Sequence, residues 1–231
     1  MDGRLNIVEY YLTIQGENFV GSPVVLLRLA GCPLIKCKWC DTDIAVRKRV
    51  SPFELLNEWE EKGIINKLNG CNAYHLILTG GSPLLQQREL TSLMEAFQDR
   101  YQFKPFVELE NECIIYPEIG ILKYVNIWNN SPKLSNSGIE KEKRYFPAVI
   151  KRMALMENSW FKFVIKNPQK DWEEIENDFL SPSLITKKQI VLMPEGTDSN
   201  SLRKKGRKLV ELCLEKGVKY SPRLHIDLKL K

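Results

Sequence analysis

From residue 24 onward the chain alternates short apolar runs with stretches of helical spacing, and this alternation constrains the fold more than any other feature. The runs VVLLRLA (24–30), YHLILTGG (74–81), KPFVELE (104–110), KYVNIW (123–128), WFKFVIK (160–166) and QIVLMPEG (189–196) are rich in β-branched and aromatic residues and read as strands, as does NIVEYYLT (6–13) before them. SPFELLNEWEEKG, LTSLMEAFQDRY, FPAVIKRMALMEN, DWEEIENDF and SLRKKGRKLVELCLEKG read as helices. The first is the best marked. Ser51 is placed to cap it, Pro52 fits its first position, Glu54 completes a capping box and Gly63 stops it. Alternating strands and helices predict an α/β fold with a largely parallel sheet. Such sheets gather ligands at the carboxyl ends of their strands. The polar segment from Ser131 to about Lys143 reads as a surface excursion, so a single domain over residues 1–231 is expected.

A hydrophobic fraction of 43% and a charged fraction of 27% are ordinary for a soluble globular protein. No run of about 18 apolar residues is present, which predicts no membrane span. MDGRLNIVEY lacks an apolar signal region, so a cytoplasmic location is expected. In that setting a tight group among six cysteines points to metal or redox chemistry rather than disulfides. The net charge of +5 is mild, and much of it lies in the last helix. It reads as a solvated face, and no direct nucleic-acid binding is expected.

GCPLIKCKWCDT (31–42) holds Cys32, Cys37 and Cys40, with four and two residues between them, just after a strand. Three soft thiolates suit zinc or an iron–sulfur cluster. Structural zinc would need Cys71, Cys113, Cys213 or His75 as a fourth ligand, and none of these belongs to a second close pair. A plant-type 2Fe–2S centre fits the same spacing, with Cys71 as its distant fourth ligand. The remaining possibility is a site left open. Spacing alone does not choose among them.

The neighbouring residues do. LRLAGCPLIKCKWCDT resembles the cluster loop of radical S-adenosylmethionine enzymes, and more narrowly that of the 7-carboxy-7-deazaguanine synthase family. The resemblance implies an incomplete (partial TIM-like) radical S-adenosylmethionine barrel. It implies that Cys32, Cys37 and Cys40 hold three irons of a 4Fe–4S cluster, whose fourth iron is left for the amino and carboxylate groups of S-adenosylmethionine. The family's loop has three residues between its first two cysteines where this chain has four. One residue adds at most about 3.5 Å of chain, which a bulge absorbs. The implied reaction is a radical-mediated contraction of the 6-carboxy-5,6,7,8-tetrahydropterin ring to 7-carboxy-7-deazaguanine, with loss of ammonia. A reducing partner such as flavodoxin or ferredoxin and a homodimer are implied with it. A glycyl-radical activase would share the cysteine loop, and a non-enzymatic electron carrier would need Cys71.

The resemblance carries over to further positions. Thr42 would give Mg²⁺ an oxygen, and Trp39, Cys40 and Asp41 would lie along the adenosine of the cosubstrate. In LTIQGEN (12–18), Ile14, Gln15, Gly16 and Glu17 match the family's QGE region and would read the substrate ring, which argues against an activase. Arg28 stands in an apolar strand, where an arginine needs a partner. The resemblance gives it the substrate carboxylate, shared with His225 of the closing YSPRLHIDLKLK. LTGGSP (78–83) resembles a turn in which Thr79 meets substrate and Gly81 the cosubstrate, with Ser82 standing where the family has glutamate. Ser131, Pro132 and Lys133 match a segment flanking the cosubstrate. ELENE (108–112) matches more loosely, leaving Glu108 and Glu110 as further candidates, and His75 is given no role.

Overall fold

Each apolar run becomes a strand because alternate residues have different partners. In the computed structural model, which describes residues 3–34, 37–69 and 74–230, nine strands form one open sheet. They are β1 (Leu5–Ile14), β2 (Pro23–Leu29), β3 (Lys48–Val50), β4 (His75–Gly80), β5 (Val107–Asn111), β6 (Val125–Asn130), β7 (Ser159–Ile165), β8 (Ile190–Pro194) and β9 (Lys219–Tyr220). Their order is β3-β1-β2-β4-β5-β6-β7-β8-β9. β1 pairs antiparallel with β2 and β3, and every other pairing is parallel. The expected α/β fold with a largely parallel, incompletely closed sheet is therefore present.

The register separates two faces. Leu27, Leu78, Leu109 and Trp128 follow one another across β2, β4, β5 and β6, and Phe163 pairs with Leu192 further along. All are buried and pack with helical residues that include Leu55, Trp59, Leu90, Phe97, Ile150, Met153 and Ile175. Burying one such side chain contributes about 1.5–3 kcal/mol. The opposite row is polar. Arg28 pairs with Thr79, and Glu110 pairs with Asn129, all near the carboxyl ends of their strands.

The helix at Pro52–Glu61 has the expected cap, with Ser51 and Glu54 exchanging hydrogen bonds. The segment 131–143 departs from expectation in its first half, which is docked on its neighbours, while Gly138 and residues 140–143 are exposed as expected. Ser137 is fully buried, and its carbonyl accepts from Lys38 N at 2.9 Å. Asn136 accepts from Trp39 Nε1 at 3.0 Å and donates to Asp171 at 2.9 Å. These bonds satisfy the segment's polar groups as it docks the cysteine loop against the sheet. None of the described helices is long and apolar enough to cross a membrane.

Candidate active site

The cysteine loop leaves the carboxyl end of β2 and folds back over the sheet. Cys37 is buried, Cys32 half-buried and Cys40 exposed, and the three thiols are free. Cys40 N donates to Cys37 O at 3.0 Å, closing a tight turn across the CxxC step. Burial pushes the Cys32 thiol up to about 11, partly offset by a backbone hydrogen bond at Leu34 and the charge of Lys133. Burial also raises Cys37, which senses Lys133 and Cys40. Among the described residues no three His, Cys, Asp or Glu side chains already converge on one metal position. The donor set nonetheless suits an iron–sulfur cluster: three thiols lie on one loop, and a bound metal deprotonates the thiol it binds. Other candidates for a zinc ligand are engaged elsewhere. His75 Nδ1 lies 3.0 Å from Glu108, and Cys213 is buried on the helix Ser199–Lys216, next to Lys219 O. Cys71 lies outside the described residues.

The glycine turn after β4 fits directly beneath this loop. A Cβ on Gly81 would lie 1.8 Å from Gly31 O and 3.2 Å from Cys32 Cβ. Backbone cannot yield to such contact without moving the cysteine loop. Gly81→Ala should therefore cost about 1–3 kcal/mol and lower the iron held per chain, as read by anaerobic urea unfolding and iron analysis. An unchanged midpoint and full iron would show that the loop tolerates displacement.

Facing the loop is the polar row of the sheet. Gln15 is 4% exposed; its Nε2 donates to Glu108 at 3.0 Å and its Oε1 accepts from Glu17 N. Fully buried Glu108 also meets His75 and Asn129. Burial raises its pKa, and the hydrogen bonds from His75 and Gln15 oppose that rise. Lys162, buried in β7, pairs with Glu17 and lies 3.2 Å from Glu110. Glu110 accepts from Thr79 Oγ1 at 2.6 Å. Burial favours the neutral form of both Glu110 and Lys162, but their mutual attraction prevails, holding Glu110 below and Lys162 above their ordinary values. Arg28 contacts Glu9 at 3.1 Å and Tyr11 at 3.4 Å. Burial works against its charge, and Tyr11 and Glu9 more than restore it.

The chain's two ends meet here. Leu224 N donates to Gly16 O at 2.9 Å, and a Cβ on Gly16 would lie 2.6 Å from His225 Nδ1. Burial lowers the His225 pKa. Arg223 bonds Asp41, tying the closing segment to the cysteine loop. Ile14 ends β1 opposite Pro23. Ser131 N donates to Asn111 O at 2.6 Å, which sets Pro132 and Lys133 at the end of β6. Lys133 Nζ lies 5.4 Å from the Trp39 ring centre. Half-buried Thr42 follows Asp41 on the same loop.

The cysteine loop, the glycine turn and Ser131–Lys133 therefore leave the carboxyl-terminal ends of parallel strands, whereas Ile14–Glu17 end antiparallel β1 level with the start of β2. Sequence reading missed Lys162, Asn129 and the role of His75. Lys162 carried a usable signal, since a lysine inside WFKFVIK needs partners as much as Arg28 does.

A family model described as a 4Fe-4S single cluster domain matches residues 15–110, a span that includes QGE, the cysteine loop, the glycine turn and Glu110. The chain is 30% identical to the 7-carboxy-7-deazaguanine synthase of Pyrobaculum aerophilum, over 96% of this chain and 94% of that one. It is 28% identical to that of Hyperthermus butylicus, over 98% and 93%. With that of Rickettsia prowazekii it shares 27%, over 96% and 87%. On this similarity, which runs nearly end to end and takes in the cysteine loop and the polar face beneath it, the chain belongs to the 7-carboxy-7-deazaguanine synthase family.

Proposed function

We propose that this chain is a radical S-adenosylmethionine carbon–nitrogen lyase that converts 6-carboxy-5,6,7,8-tetrahydropterin to 7-carboxy-7-deazaguanine and releases ammonia. The observation that carries this reading is one juxtaposition. A three-thiol loop follows β2 just beyond Arg28 and packs on the glycine turn that follows Thr79, while Glu17 pairs with Lys162 of the sheet and Gly16 meets His225.

Cys32, Cys37 and Cys40 would hold the cluster, with S-adenosylmethionine along Trp39, Cys40, Asp41, Gly81, Ser131, Pro132 and Lys133. When bound, the cluster and cosubstrate supply a carbon radical able to take hydrogen from the substrate. The protein's own groups bind and orient the pterin. Gln15 offers a donor and an acceptor, and Glu17 accepts from the amino-pyrimidine edge. Ile14 and Gly16 line that edge with backbone. Thr79, held by Glu110, would meet the same ligand. Arg28 remains protonated and is suited to a carboxylate. His225, its pKa lowered by burial, can still donate one hydrogen bond when neutral. Thr42 supplies a hard oxygen to Mg²⁺, an ion that keeps most of its shell from water and ligand. The homodimer and a flavodoxin- or ferredoxin-like donor complete this reading on resemblance alone.

The test is Arg28→Ala. Charge-assisted hydrogen bonds contribute about 1.5–3 kcal/mol, or roughly ten- to a hundredfold in affinity. Affinity for the carboxypterin should fall by that much while affinity for S-adenosylmethionine changes by less than about twofold, at unchanged iron content. Equal loss of both ligands would assign Arg28 to its ion pair with Glu9 instead.

A further inference from the structure

A cavity apart from the site described above lies between the helix Ser199–Lys216, the end of β8 and the closing residues 220–227. Its volume is about 590 Å³, within the range of small-molecule sites. None of the residues assigned above to pterin, cosubstrate or cluster lines it. His225 packs on Gly16, whereas Arg223 and Asp227, two residues to either side of it, line the cavity.

Two polar groups in this wall are unmet, and they are of opposite kind. The Arg223 side chain is 10% exposed. Its Nη atoms donate to Gly196 O and Asp41, and its Nε is buried with no partner among the described residues. Asp227 Oδ1 is likewise buried without a hydrogen bond, and Arg203 Nε stands 3.7 Å from it, too far to donate one. Leaving either group dry and unpaired is costly. A simple anion would serve Arg223 and not Asp227, and a simple cation the reverse. The wall therefore suits one ligand that presents an acceptor and an N–H or O–H donor together. The rim repeats the pattern, since Arg203, Arg207 and Glu211 follow at successive helical turns. Gly206 lies between them. Glycine inside a helix is disfavoured, yet a Cβ here would lie 2.7 Å from Tyr220 Oη. The helix thus admits the tyrosine close against it, and Tyr220, Leu202 and Pro194 offer an apolar surface for the body of the ligand.

We propose that this cavity is a second binding site for a carboxylated amino-heterocycle, whose carboxylate meets Arg223 Nε and whose N–H meets Asp227 Oδ1. The substrate and the product of the reaction proposed above both belong to this class. The inference rests on that reading and adds a second site for the same chemistry.

The test counts bound ligand by equilibrium dialysis on the anaerobically reconstituted protein without S-adenosylmethionine, with iron per chain and the urea midpoint as controls. The probes are 7-carboxy-7-deazaguanine, 6-carboxy-5,6,7,8-tetrahydropterin and 7-deazaguanine, which lacks the carboxylate. Wild type is expected to hold about two equivalents per chain of a carboxylated probe, and the more tightly held of the two identifies the natural occupant. Val210→Trp, which fills the cavity from its wall, should lose one equivalent and keep the other. Arg28→Ala should weaken the equivalent that Val210→Trp keeps. The cavity equivalent left in Arg28→Ala should bind 7-deazaguanine about ten- to a hundredfold more weakly than the carboxylated probe. A single equivalent in wild type, or two in Val210→Trp, would overturn the proposal. Failure of the reaction reading looks different: a full cluster with no turnover of the carboxypterin would remove the reaction, while an equivalent abolished by Val210→Trp would still mark the cavity. If Val210→Trp lowers the urea midpoint, Asp227→Ala takes its place. The cavity equivalent should then weaken about tenfold and the other stay unchanged, and unchanged affinity at both would refute the assignment.

Discussion

Cys37→Ala is expected to leave the protein folded and colourless. Iron should fall from about four per chain toward zero, and cleavage of S-adenosylmethionine should drop at least a thousandfold, about 4 kcal/mol of barrier. Cys37 is the middle thiol of the loop. Its carbonyl anchors the turn that brings Cys40 round, and its thiol is buried where those of Cys32 and Cys40 are more open. With it gone, two thiols remain to hold a cluster that needs three. Alanine fills most of the space left by a small thiol, so the fold should survive. Cys213→Ala and Cys71→Ala are the controls, and both should keep iron and activity. A full, active cluster in Cys37→Ala would end the ligand assignment. Loss of the cluster in Cys71→Ala would restore the plant-type 2Fe–2S arrangement and with it an electron carrier.

What the sequence disclosed and what it hid divide along chain separation. Strands and helices were legible because their signals are local: period-two apolar runs, a capping box at Ser51 and Glu54, and glycine after a strand. The cysteine loop is local too, as is QGE. The polar face was not, because its bonds join residues far apart. Lys162 meets Glu17 across 145 positions, and Gln15 meets Glu108 across 93. Those pairings exist only once the strand order is known, since β7 faces the β1 exit across an incomplete barrel. His75 illustrates the same limit. It precedes an apolar strand and carries no motif, yet the register brings it to a fully buried carboxylate. The first half of the segment 131–143 misled for a different reason. Its composition is that of a loop, but Asn136 and Ser137 satisfy their polar groups by bonding the cysteine loop, so polarity there marks docking rather than solvent.

Lys162→Met should destabilise the protein by about 3–5 kcal/mol, because it removes the cation from between two carboxylates in a buried site. The pH dependence identifies the cause. In the wild type, Glu110 titrates below its ordinary value, so the stability it contributes is present above the ordinary carboxylate range and lost as pH falls through the depressed value. Lys162 titrates above its ordinary value, so its contribution is complete below the ordinary lysine value and lost only as pH rises through the raised one. Between these limits the pair is intact, and that window includes both pH 5 and pH 8. With Lys162 gone, burial dominates at Glu110 and favours the neutral acid. Protonation then relieves the variant, so its deficit should be larger at pH 8 than at pH 5. Anaerobic urea unfolding at the two pH values measures this directly. Adding Glu110→Gln to the variant should return part of the loss at pH 8 and little at pH 5. A deficit independent of pH, or one below about 1 kcal/mol, would mean that water already reaches the two carboxylates. Lys162 would then form a surface-like ion pair rather than a buried post that fixes Glu17.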